Sequence, residues 1–123
     1  DSLFLVDDCE LRREGLSYTV DTLALLAHSD GIEGKPALII GDDLASGFPS
    51  WRQPERILEQ ATLIVARRSG LPYTLNLPHV QAHNSLIPVS SSLVRSRIGQ
   101  GGAWKRLVPE GAREYIEAHR LYR

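Results

Sequence analysis

The sequence has no methionine, one cysteine and no long apolar run. Each absence excludes something. With Cys9 as the single cysteine there is no internal disulfide, which fits a reducing compartment and predicts a cytoplasmic location. Cys9 itself reads as a small buried side chain, with no partner spacing that would make it a catalytic thiol. No apolar stretch approaches the roughly 20 residues needed to cross a bilayer, and no secretory leader opens the chain, so no membrane partner is expected. An excess of one charge is lacking too. The 14 Lys and Arg residues against 15 Asp and Glu leave a net charge of −1, which gives no reason to expect nucleic acid. Metal-ligand spacing is also missing. Asp7 and Asp8 have no further ligand nearby, and His79 and His83 would share a face of an extended segment without an acid partner. The absent methionine and the start at Asp1-Ser2-Leu3 lead to the expectation of a piece of something longer.

What is present is one domain's worth of globular sequence. The chain has 123 residues, enough for one domain (1–123) with a real core, and its 42% hydrophobic and 24% charged content is ordinary for a globular protein. Apolar runs predict strands over 2–9, 36–40, 62–66 and 80–89. Between them, Ser17 or Thr19 should cap a helix with a Val20, Leu23, Ala24 and Ala27 stripe, and His28 should close it. Pro54 suits the first turn of a helix over 54–60. Pro109 should open a last helix striped by Ala112, Tyr115, Ile116 and His119, with Trp104 as its anchor. Strands alternating with helices predict an α/β fold, a doubly wound parallel sheet.

Three stretches carry chemistry. In residues 88–98, Ser90 is a good N-cap, and helical spacing brings Ser91 and Ser92 to Arg95. Hydroxyls, a guanidinium and free amides at a helix start suit an anion such as phosphate, although such serines also serve as plain caps. Gly41-Asp42-Asp43 follows directly on an apolar strand. That is where open parallel sheets bind ligands, and a carboxylate there accepts from ribose hydroxyls; two acids capping a following helix is the alternative. If the strands 36–40 and 62–66 run parallel, Arg67 and Arg68 reach the same sheet edge, and one of them could face phosphate. Trp51 lies in the loop 47–53, where a tryptophan usually serves as a partly buried anchor.

Val89-Ser90-Ser91-Ser92-Leu93-Val94-Arg95 resembles the I-S-S-T-x-I-R signature of the nucleotidyltransferase superfamily. Four more segments match one of its families in order: Ser17 to Leu23, Ile39 to Asp43, Pro49 to Arg52, and the tail from Leu107 to Tyr122. That family is nicotinate-nucleotide adenylyltransferase, and the resemblance covers essentially the whole chain. It implies a Rossmann-like sheet, of which only the C-terminal portion is expected, because the family's opening G-x-F-x-P-x-H-x-G-H turn has no counterpart. None of His28, His79, His83 and His119 stands in an H-x-G-H context.

The activity implied is adenylyl transfer from ATP to nicotinate mononucleotide, a step of NAD synthesis, with Mg²⁺ carried by the ATP phosphates. Ser90, Ser91, Ser92 and Arg95 would hold the ATP phosphates; Ser92 stands where the family has Thr. Gly41 and Asp43 would hold the nucleotide, with Asp42 the variable residue of a G-x-D pattern. Thr19, the ring of Trp51 and the backbone amide of Arg52 would receive the nicotinate, and Arg68 is a candidate phosphate contact. Leu16 departs from the family's proline before the Ser-Tyr-Thr turn. No catalytic residue is expected in this chain, so alone it should be inactive. The alternatives are an adenylyltransferase for another acceptor, or a non-catalytic piece that pairs with a missing segment or with a second copy.

Overall fold

The computed structural model describes residues 4–29 and 32–123. The chain divides into two compact units, Asp1–Leu86 and Ile87–Arg123. The first carries, in order, α1 (Cys9–Arg12), α2 (Thr19–Leu26), β1 (Ala37–Gly41), α3 (Asp42–Ala45), a 3₁₀ turn (Phe48–Ser50), α4 (Pro54–Gln60), β2 (Thr62–Ala66) and β3 (Val80–Gln81). The strands form one sheet in the order β1-β2-β3, and both pairs are parallel. This is the α/β arrangement that the alternating pattern predicts. Ala37 pairs with Thr62 and Gly41 with Ala66, so β1 and β2 end together. The residues that follow, Asp42-Asp43 and Arg67-Arg68, therefore meet at one sheet edge.

The helix over 54–60 and the strand over 62–66 lie where the sequence places them, because Pro54 suits a first turn and an apolar run follows at once. Ile40, Leu63 and Val65 of the sheet are buried with Val20 and Leu23 of α2, Ile57 of α4, and Phe48. Each such large side chain contributes roughly 1.5–3 kcal/mol by leaving water. This common core ties α2 and α4 to the sheet. The other row of the sheet is open. Ile39 lies beside Ile64 and Ile64 beside Val80, and Ile39 is 66% exposed.

Four expectations fail in this unit. The strand over 2–9 is not there in its described part: Phe4, Leu5 and Val6 are almost fully exposed, while Ser2 and Leu3 lie outside the described residues. An apolar run needs a neighbouring strand, and none pairs with it among the described residues. Asp7 instead accepts the Cys9 amide at 2.7 Å and starts a helical turn. Cys9 is half-buried rather than buried, and the Asp7 carboxylate raises its thiol pKa, away from the reactive thiolate. Neither Ser17 nor Thr19 caps α2; Tyr18 holds the cap position without a side-chain bond. Ser17 donates to the Glu10 carbonyl, and Thr22 donates to the Glu10 carboxylate at 2.6 Å. His28 does close the helix end, its Nδ1 lying 2.9 Å from the Ala24 carbonyl. The strand over 80–89 shrinks to Val80–Gln81 because its partner β2 ends at Ala66. Beyond that point the Asn84 side chain takes over, accepting from the Arg67 amide and donating to its carbonyl.

The second unit holds α5 (Ser91–Gly99), a 3₁₀ turn (Lys105–Leu107) and α6 (Glu110–Ala118). Its core is Val94, Ile98 and Trp104, with Leu107, Val108 and Ile116 partly buried against it. Trp104 is thus the anchor its sequence position suggests. The stripe on α6 is narrower than predicted. Ile116 is its packed member, while Ala112, Tyr115 and His119 are exposed, with Tyr115 and His119 stacked at 4.0 Å. A core this small covers one position of that helix and no more. No helix among the described residues is long and apolar enough to cross a membrane.

Candidate functional site

The edge where β1 and β2 end is built by two adjacent acids with different tasks. Asp43 turns outward and meets Arg68, with Oδ2 and Nη1 3.6 Å apart. Both are well exposed, so the pair is worth under about 1 kcal/mol and leaves both groups free to meet a ligand. A side chain at Gly41 would collide with the Asp43 carboxylate, so the missing Cβ is what lets that carboxylate lie across the strand end. Gly41, Asp43 and Arg68 are therefore brought together.

Asp42 turns inward and is only 6% exposed. Its Oδ1 accepts from the amides of Arg68 and Ser69 and from the Ser69 hydroxyl, at 2.7–3.1 Å, and its Oδ2 accepts from the Gly70 amide at 2.9 Å. These bonds, the Ser69 amide foremost, lower its pKa from 3.8 to about 2. Asp42 reads as the variable residue of the motif in sequence. In the structure it fixes the turn that carries Arg68. A second acid directly after a buried strand was the available signal; its partners lie too far along the chain to be read locally.

The second element is a cavity of about 320 Å³ lined by Tyr18, Thr19, Trp51 and Arg52, with Ser17, Ser50 and Ile57 around them. Two local features build it. Tyr18 directly precedes α2, which makes Thr19 the first helical residue. The 3₁₀ turn ends at Trp51, whose ring leans on buried Phe48 at 5.2 Å. The Arg52 guanidinium stands over the Tyr18 ring, 4.6 Å from its centroid, a contact worth about 0.5–1 kcal/mol at an exposed site. Thr19, Trp51 and Arg52, distant in sequence, thus line one aromatic cavity.

In the second unit, Ser90 caps α5 by accepting the Leu93 amide at 3.1 Å, as its position predicts. Arg95 donates to the Ser92 hydroxyl at 3.3 Å. Ser90, Ser91 and Arg95 line a cavity of about 340 Å³ walled by Val94, Leu107, Val108 and Ile116. The first-turn amides of α5 and an exposed guanidinium give the positive end that an anion requires.

One further cavity, of about 490 Å³, lies beyond the ends of β2 and β3 and was not visible in sequence. Asp42, Arg67, Tyr73, His79 and Gln81 are among its walls. The Leu77 carbonyl lies 2.8 Å from Nδ1 of His79, so that nitrogen donates and Nε2 is left to accept from the Tyr73 hydroxyl at 3.2 Å. His79 is thereby spoken for, and His79 and His83 form no metal group; among the described residues no three acids, histidines or cysteines gather to hold one.

A parallel sheet whose strands β1 and β2 end beside a glycine, a carboxylate and an arginine is an α/β arrangement of the open, Rossmann-like kind. No protein-family model matches the chain. Curated proteins do. A probable nicotinate-nucleotide adenylyltransferase of Borreliella burgdorferi is 37% identical over 123 residues, which is 99% of this chain and 63% of that protein. One from Treponema pallidum is 37% identical over 98% of the chain and 66% of its own length. One from Geobacillus thermodenitrificans is 36% identical over 97% of the chain and 55% of its own length. The chain is similar to these probable nicotinate-nucleotide adenylyltransferases along nearly all its residues, and it spans a little over half to just under two thirds of their length.

Proposed function

We propose that the protein containing this chain transfers the adenylyl group of ATP to nicotinate mononucleotide, giving nicotinate adenine dinucleotide and pyrophosphate, in NAD biosynthesis. The observation that carries the reading is the cavity in which Tyr18, Thr19, Trp51 and Arg52 converge, on a chain whose relatives bear that enzyme's name. A flat, electron-poor pyridine ring suits the face of Trp51, and its carboxylate suits the amides at the start of α2 and after Trp51. Gly41, Asp43 and Arg68 would hold the nucleotide, Asp43 by accepting from ribose hydroxyls. Ser90, Ser91, Ser92 and Arg95 would hold the ATP phosphates, chiefly the leaving pyrophosphate.

The chemistry asks little of side chains as acids or bases. The acceptor's phosphate oxygen attacks the α-phosphorus of ATP, and the bond from that phosphorus to the β-phosphate oxygen breaks. Attacker and leaving group are both anions already. The protein's part is alignment and the spreading of charge, which Arg95 and the α5 amides would supply. ATP would arrive as its magnesium salt, the ion riding on the phosphates. We place the protein in the cytoplasm, in keeping with a single half-buried cysteine.

Pyrophosphate release from MgATP is the test. The full-length protein should release it with nicotinate mononucleotide and far more slowly with nicotinamide mononucleotide. Equal use of both would move the reading to an adenylyltransferase for another acceptor. A second reading concerns the chain by itself: the open row of Ile39, Ile64 and Val80 favours a portion that requires a further segment or a second copy against its sheet. Pyrophosphate release by the 123-residue chain at the full-length rate would dismiss that reading.

A further inference from the structure

We infer that the guanidinium of Arg52, rather than its backbone amide alone, reads the charge on the acceptor's pyridine ring and so selects acid over amide. The inference rests on the acceptor-cavity reading above and deepens it.

Three observations carry it. The guanidinium is held over the Tyr18 ring at 4.6 Å, a contact made through the face of the group's charge that leaves its N–H donors unspent. It also has no acid. Among the described residues Arg12, Arg68, Lys105 and Arg113 each meet a carboxylate, whereas Arg52 has neither an ion pair nor a hydrogen bond. And it is held off the helix that follows. Gln53 is left-handed at φ 54°, directly before Pro54, a backbone state that non-glycine residues avoid and that keeps Arg52 out of α4. An unpaired cation is thus parked at the lip of an aromatic cavity.

Its effect on two ligands of the same shape is opposite. Nicotinate mononucleotide brings a carboxylate, which pairs with the guanidinium and screens it from the pyridinium nitrogen. Nicotinamide mononucleotide brings a neutral amide, so the ring's positive charge faces Arg52 uncompensated.

The test uses the full-length protein, saturating MgATP and both mononucleotides, with Arg52→Gln, Arg52→Lys and Trp51→Ala. Arg52 is exposed, so both of its variants should fold. In Arg52→Gln the preference for acid over amide, as a ratio of kcat/KM values, should fall at least roughly thirtyfold, chiefly through KM for the acid. Arg52→Lys should restore part of that preference, because charge returns without the planar fork. If Arg52→Gln keeps the wild-type ratio while Trp51→Ala loses the acid, the cavity stands and the guanidinium is not the selector. If Trp51→Ala also leaves kcat/KM for the acid unchanged, the cavity reading itself fails, and the inference with it.

Discussion

In residues 4–86 the core gathers side chains of two strands, β1 and β2, with α2, α4 and Phe48; in residues 87–123 it consists of Val94, Ile98 and Trp104. Both units present a candidate site, and the sites rest on different foundations. The Thr19, Trp51 and Arg52 cavity leans on fully buried Phe48, and the Asp43–Arg68 edge is tied down by buried Asp42. The Ser90–Arg95 site rests on one capped helix over a three-residue core. On the proposed reading, ring recognition would rest on the deep core and phosphate binding on the shallow one. A helix held by so few buried side chains opens locally at lower free energy than a sheet held by many.

The comparison breaks most readily at its cores. Phe48→Ala leaves a cavity where no side-chain surface is exposed and should cost about 3–5 kcal/mol. Its counterpart, Trp104→Ala, removes the largest buried side chain of the second unit. Amide hydrogen exchange on the two variants separates the units. Trp104→Ala should free the amides of α5 while those of β2 stay protected, and Phe48→Ala should free both strand and helix amides of residues 4–86. Equal loss throughout in both variants would show a single cooperative block and remove the distinction.

At the shallow site, Arg95→Ala in the full-length enzyme should lower turnover more than tenfold, about 1.4 kcal/mol or more of transition-state stabilisation. Near wild-type turnover would take the phosphate clamp away from Arg95. Ser90→Ala should cost about 1 kcal/mol of local stability by removing the acceptor for the Leu93 amide, read as faster exchange at that amide.

The effect confined to low pH belongs to Asp42. Its pKa falls on folding from 3.8 to about 2, so its contribution is complete above about pH 4 and is lost as pH falls towards 2. Acid denaturation of the wild type should therefore have a component over that window that is missing in Asp42→Asn. An identical acid limb in both would mean the carboxylate is not the group being titrated.

The parts of this molecule that were legible in sequence are those decided locally. Pro54 before an apolar helix, the run over 62–66 and the Ser90 cap each depend on neighbours a few residues away. Most of the misreadings turn on distant partners. Residues 4–6 are apolar enough for a strand but are not in the sheet formed by the described residues, and β3 stops as β2 runs out. The Ser17 hydroxyl goes to the Glu10 carbonyl and Tyr18 takes the cap position, so α2 has no side-chain cap. Thr19, Trp51 and Arg52 are named from a family resemblance, and the fold lines one cavity with all three; the guanidinium over Tyr18 and the inward turn of Asp42 needed the fold.

Asp42 has one more consequence, and it concerns time. The amides it binds lie 26 to 28 residues further along the chain, so the carboxylate cannot find them until β1 and β2 are already side by side. A tie made that late stabilises the finished state and not the barrier before it. Stopped-flow traces of Asp42→Ala should show faster unfolding and almost unchanged refolding. The turn beneath Arg68 should then be slow to come apart without being quick to form.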